Sequence, residues 1–156
     1  MKIALCLEVP LAQHGGVEVL LTELVRGLGV RHQIVLVSPD DDVSLAKSPV
    51  AHCVSEHISW ATEPATVARG RELAAKLAGT KPDLIHFHLG GNYNWKSRAF
   101  SRCPIVPVAR TGIPCLSTNH GAFSIFDGYC WDQRPFLVKL ALFLPAWISK
   151  QYVLRH

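Results

Sequence analysis

The sequence predicts an α/β fold, a Rossmann-like three-layer sandwich built on a mainly parallel sheet. Three observations carry that prediction. Short apolar runs alternate along the chain with segments whose apolar residues recur at helical spacing. The runs are nearly continuous in apolar residues, as strands covered on both faces must be. A length of 156 residues, 49% hydrophobic and 18% charged, leaves room for one domain with its own core. Strands alternating with helices through right-handed crossovers give a parallel sheet with helices on both sides.

Lys2–Leu7 is short and apolar and reads as the first strand. A polar loop follows, and Gly15 and Gly16 open a helix over 17–28. There Val17, Leu20, Leu21, Leu24, Val25 and Leu28 keep helical spacing, while Glu18 and Glu23 lie on the other side. Gly27 and Gly29 supply a stop signal. The second strand is 32–37 (HQIVLV). Residues 39–64 are polar and broken, with one short strand expected at 51–54. Helical spacing returns over 66–77, bounded by Gly79 and Pro82, and 83–88 (DLIHFH) is a further strand. After the turn-rich Gly90-Gly91-Asn92, a helix is expected within 94–110, its limits blurred by Pro104 and Pro107. The last strand is 114–119 (PCLSTN). Residues 134–156 are helical in pattern apart from Pro145.

The net charge of +4 suits an anionic ligand or a membrane surface and is too small to indicate nucleic acid by itself. Five cysteines, an odd number without a C-x-x-C pair, speak against a disulfide framework and a zinc knuckle. Cys6 and Cys115 sit in apolar runs, where a free cysteine behaves as a small core residue. A reducing, cytoplasmic compartment is the expectation. The opening MKIALCLEV meets Glu8 and Pro10 too early for a secretory h-region. No stretch reaches the roughly 18–20 apolar residues of a membrane span.

Ligands of open parallel sheets bind at the carboxyl ends of the strands. Three features fall there: Gly15-Gly16 after the first strand, His86 and His88 at the end of 83–88, and His120-Gly121 after the last strand. Glycines opening a helix let a ligand approach the backbone, and the free N–H groups with the helix dipole favour a phosphate. The plain alternative is a tight turn, and the residues do not form G-x-G-x-x-G. His120 is suited to bond a sugar hydroxyl or polarise a reacting group, or else to be a hydrogen-bonded structural histidine. His86 and His88 share one face of their strand. With His120 they invite a metal reading, but no Asp, Glu or Cys stands at a motif-like spacing, so no metal is expected.

Asp40-Asp41-Asp42 resembles the D-x-D of metal-dependent nucleotide-sugar enzymes and also stands where dinucleotide folds place a ribose-binding acid. Following Ser38-Pro39 in a polar loop, it reads as a solvated turn. Segment 134–156 is basic and amphipathic, with Phe136, Leu140, Phe143 and Trp147 against Arg134, Lys139, Lys150 and Arg155. It suits peripheral contact with an anionic membrane; packing on the sheet or on a further domain is the commoner use of such a helix.

In their order and spacing, these pieces resemble the N-terminal domain of the family-four retaining glycosyltransferases of GT-B fold. The matching residues are Lys2–Leu7, Gly15-Gly16-Val17-Glu18 with Leu21, Leu24 and Leu28, then 30–37, 81–88 (KPDLIHFH) and 112–121 (GIPCLSTNHG). The resemblance covers nearly the whole chain. It implies that residues 1–156 form the acceptor-side half of a two-domain enzyme, with the donor-binding half absent from this chain. Such enzymes move a sugar from a nucleotide-sugar to an acceptor with retention, without a D-x-D-bound metal or other cofactor. The resemblance gives Gly15 and Gly16 the donor diphosphate and His120 the transferred sugar as catalytic residue. It makes His88, Gly121 and Asn92 cleft-lining residues. The acceptor is a glycan, a lipid-linked sugar or a small molecule, and residues 38–64 and 90–95 are expected to shape its site. The implied location is the cytoplasm, or the inner face of the membrane.

Three other readings compete. A nicotinamide-dependent dehydrogenase lacks its glycine fingerprint here, and a receiver-like domain lacks its strand-end carboxylate cluster. A non-catalytic Rossmann-like module that binds a nucleotide or a partner remains the alternative.

Overall fold

A run of apolar residues is stable as a strand when helices cover both its faces, and this sheet meets that condition. The computed structural model describes residues 1–11, 15–61, 66–89, 104–120 and 136–137. Strands β1 (Lys2–Leu7), β2 (Gln33–Ser38), β3 (Glu56–Ser59), β4 (Leu84–Leu89) and β5 (Cys115–Asn119) alternate with helices. The helices are α1 (Gly16–Gly29), α2 (Asp42–Ala46), α3 (Val67–Thr80) and α4 (Ile105–Ala109). All the strands run parallel, in the order β3-β2-β1-β4-β5.

The two-residue period of a strand divides the core into two layers. Ile3, Leu5 and Leu7 of β1 and Ile34 and Leu36 of β2 pack on Leu21 and Val25 of α1 and Leu45 of α2. Ala4, Cys6, Val35, Val37, Ile85 and Phe87 face the opposite way, onto Leu73 and Leu77 of α3 and Ile105 and Val108 of α4. Burying each large aliphatic or aromatic side chain contributes roughly 1.5–3 kcal/mol. Gly70 lets the second layer close: a Cβ there would stand 3.0 Å from Pro107 Cγ and 3.3 Å from Pro104 Cα, so α4 seats directly on α3.

Local chemistry explains the helix limits. In α1, acidic Glu18 in the first turn and basic Arg26 in the last complement the helix dipole. Thr66 caps α3, accepting from the Arg69 N–H at 3.2 Å. The helix expected over 66–77 runs on to Thr80, between the bounding Gly79 and Pro82, and the left-handed residue is Lys81 (φ 51°). Lys81 precedes Pro82, and a residue before proline is driven out of the right-handed helical region.

The strand expected at 51–54 is also corrected. Ala51–Cys53 is a 3-10 turn, and the strand lies later, at Glu56–Ser59. β3 is an edge strand with Ile58 as its one buried residue, so it lacks the apolar run that marked its neighbours. The other strands fall within one residue of their expected limits. Of the helix expected within 94–110, α4 is the part among the described residues.

Candidate functional site

The carboxyl edge of the sheet is where side chains escape the core, because the strands end there and the helices have not yet begun. β1 continues to β2 on one side and has β4 on the other, so the strand order reverses between β1 and β4. A crevice at such a switch point is the usual ligand site of open α/β sheets. The register puts Leu7, His88 and Thr118 in one row across β1, β4 and β5.

Three histidines cluster around this row. Ile85 and Phe87 point to the α3 layer, so the alternation of β4 turns His86 and His88 to the α1 side. Each reaches diagonally to β5 or just beyond it. His86 Nε2 lies 2.8 Å from Thr118 Oγ1, and His88 Nδ1 lies 3.0 Å from His120 Nε2. The His88 and His120 rings lie edge to edge, 13° from parallel with centroids 5.3 Å apart, and the His86 centroid is 4.1 Å from that of His88. His88 is buried, 4% exposed, and its Nε2 has no hydrogen-bond partner among the described residues. Burial first, then the neighbouring rings of His86 and His120, push His88 down to about 3, so it is neutral at pH 7. His86 is lowered for the same reason, burial followed by His120. His120 is half-buried and completes the cluster on its outer side.

The glycine turn comes to the same edge through the loop after β1. Gly15 is the N-cap of α1 in extended conformation, with no side chain capping the helix. The N–H groups of Gly16, Val17 and Glu18 therefore have no intrahelical acceptor. A Cβ on Gly16 would meet nothing within 4 Å, whereas one on Gly15 would run into the Glu18 carboxylate, which folds back over the start of the helix. No packing demand explains glycine at position 16.

The acidic triplet is corrected from a solvated turn to three separate roles. Asp40 is 3% exposed, and its Oδ2 accepts from the Leu11 N–H at 3.0 Å and from Ser38 Oγ at 2.7 Å. It ties the loop after β1 to the end of β2. Asp41 caps α2, accepting from the Ser44 N–H at 2.7 Å, and hydrogen bonding from the Ser44 side chain first, then from that N–H, holds its carboxyl below the usual range. Asp42 Oδ1 lies 2.8 Å from His57 Nδ1, and His57 Nε2 lies 3.2 Å from Ser38 Oγ. This Asp–His–Ser chain is no nucleophile: Ser38 is fully buried and its hydroxyl is already spent on Asp40. Sequence reasoning placed Ser38 and Asp40 in a solvated turn and did not single out His57; the only signal of their buried contact was a carboxylate two residues past a strand-ending serine.

The structure thus brings His88, His120, Gly15 and Gly16 to one edge of the sheet. Gly121 and Asn92 lie outside the described residues, as do the turn at 90–95 and segment 134–156 except Phe136 and Leu137. Among the described residues no group of three His, Cys, Asp or Glu side chains is arranged to hold a metal ion, and no helix is long and apolar enough to cross a membrane. No curated protein matches the chain. The family described as Glycosyltransferase Family 4 matches it over residues 14–151.

Proposed function

The chain belongs to glycosyltransferase family 4, and from that premise we propose that it is the N-terminal, acceptor-side domain of a retaining, two-domain enzyme whose donor is a nucleotide-sugar. One observation carries the reading. A glycine-opened helix follows β1 and a histidine follows β5, so both stand at the carboxyl edge of the sheet, and nothing in the packing calls for glycine at position 16.

In a transfer from a nucleotide-sugar, the bond from the anomeric carbon to the diphosphate oxygen breaks and negative charge develops on the leaving group. The N–H groups of Gly16, Val17 and Glu18, reinforced by the dipole of the 14-residue helix α1, oppose that charge where it appears. Glu18 shares this end of the helix, so its flexible side chain swings away when the diphosphate arrives. His120 holds the transferred sugar by a hydroxyl. In this reading the acceptor attacks on the face the leaving group departs from. The acceptor, a glycan, lipid-linked sugar or small molecule, enters beside the polar loops at 38–64.

The test uses this domain joined to its donor-binding half, assayed with a panel of nucleotide-sugars and candidate acceptors. Release of a nucleoside diphosphate from one donor, with retained configuration in the product by NMR, is the expected result. His120→Ala lowers kcat without unfolding the domain. Inverted product, or an unchanged rate in His120→Ala, overturns the corresponding part of the reading.

A further inference from the structure

We propose that His88 is a positioning residue that occupies His120 Nε2 and so turns His120 Nδ1–H to the sugar, where His120 acts as a hydrogen-bond donor and not as a base. The inference deepens the reading of His120 given above and rests on it.

The argument starts from proton counting. Two imidazole nitrogens that face each other at 3.0 Å share one proton between them: either His88 Nδ1 or His120 Nε2 carries it. His88 is neutral, so its single proton sits on Nδ1 or on Nε2. If His120 were the donor, His88 would carry its proton on Nε2, an atom sealed from solvent with no partner among the described residues. A buried N–H without an acceptor is the costlier of the two defects, and orphaned N–H groups are rarer in folded proteins than under-used acceptors. The proton therefore belongs on His88 Nδ1, donated to His120 Nε2. That bond occupies Nε2 of His120 and leaves its own proton on Nδ1, the nitrogen with no protein partner among the described residues. The two rings lie 13° from parallel with centroids 5.3 Å apart, an edge-to-edge arrangement that points the two nitrogens at each other. A ligand cannot use His88 Nε2 directly, because the ring is 4% exposed; His88 acts only through His120.

Nitrogen-15 imidazole spectra of the 156-residue chain at pH 7 read which ring nitrogen of each histidine is protonated. The expected wild-type result is His120 protonated at Nδ1 and bare at Nε2. His88→Asn, whose amide N–H replaces the Nδ1 donor, keeps that state, and His88→Leu releases His120 toward the Nε2–H form. Wild-type His120 protonated at Nε2, or an unaltered tautomer in His88→Leu, overturns the proposal. Should His88→Leu fail to fold, the wild-type and Asn spectra decide it.

In the two-domain enzyme, His88→Leu lowers kcat about tenfold, the worth of one hydrogen bond, leaves nucleoside diphosphate affinity unchanged, and is rescued by His88→Asn. The expected spectra combined with unaltered transfer in His120→Ala would keep the tautomer and remove the sugar contact, overturning the reading of His120 itself. Impaired transfer in His120→Ala with normal transfer in a folded His88→Leu overturns only the role of His88.

Discussion

His88 and Gly16 bear on the fold in opposite ways. His88 is held neutral by burial and by the rings of His86 and His120, and that has a cost in acid. The unfolded chain takes up a proton on this ring as pH falls through 6.5, whereas the folded chain resists until about pH 3. Between those values the unfolded state binds more protons, so its share of stability is fully present above pH 6.5 and is lost as pH falls toward 3. The slope is at most about 1.4 kcal/mol per pH unit. Wild type is therefore expected to lose more stability than His88→Asn between pH 7 and pH 5, measured by urea unfolding; equal losses would locate the acid sensitivity elsewhere. Gly16 gives the complementary case. Its Cβ position is open, so Gly16→Ala leaves the melting temperature unchanged or slightly raised, alanine being the better helix former. Gly16→Leu should keep the fold and raise the donor KM of the two-domain enzyme, because bulk would stand where the proposed function brings the phosphates. A Leu variant with ordinary donor kinetics would return Gly16 to a structural role.

At the scale of elements, the site depends on what holds loops to strand ends. The loop after β1 carries the chain toward the glycine turn, and Asp40 ties it to β2 through the Leu11 N–H and Ser38. Asp40→Ala leaves that buried N–H and hydroxyl without an acceptor, and is expected to cost about 1–3 kcal/mol in chemical denaturation. A loss within experimental error would mean that water replaces the carboxylate and the tie is dispensable. β4 and β5 do the same for the histidines. Their parallel register sets His88 opposite Thr118, one row short of the diagonal that reaches His120. Short helix α4, which precedes β5, keeps its place through the side-chain-free surface of Gly70.

For the whole molecule, the question is what one Rossmann-like domain does alone. A helix N-terminus opposes leaving-group charge, but a departing diphosphate also needs cations and a grip on the nucleotide, which the proposal assigns to a second domain. The 156-residue chain by itself is expected to release no nucleoside diphosphate from any nucleotide-sugar; measurable turnover would overturn the two-domain reading. The sequence by itself determined the α/β class, four of the five strands to within a residue, and the sites of the glycine turn and the histidines. Those signals are local, because a doubly covered strand must be apolar throughout and a helix must repeat its apolar face. Only the tertiary structure decided the rest. Edge strand β3 buries one residue and leaves no apolar run to read. Asp40 looks like a solvated acid until the loop after β1 closes over it. The His88–His120 bond joins residues 32 positions apart, and only the pairing of β4 with β5 brings their ring nitrogens within reach.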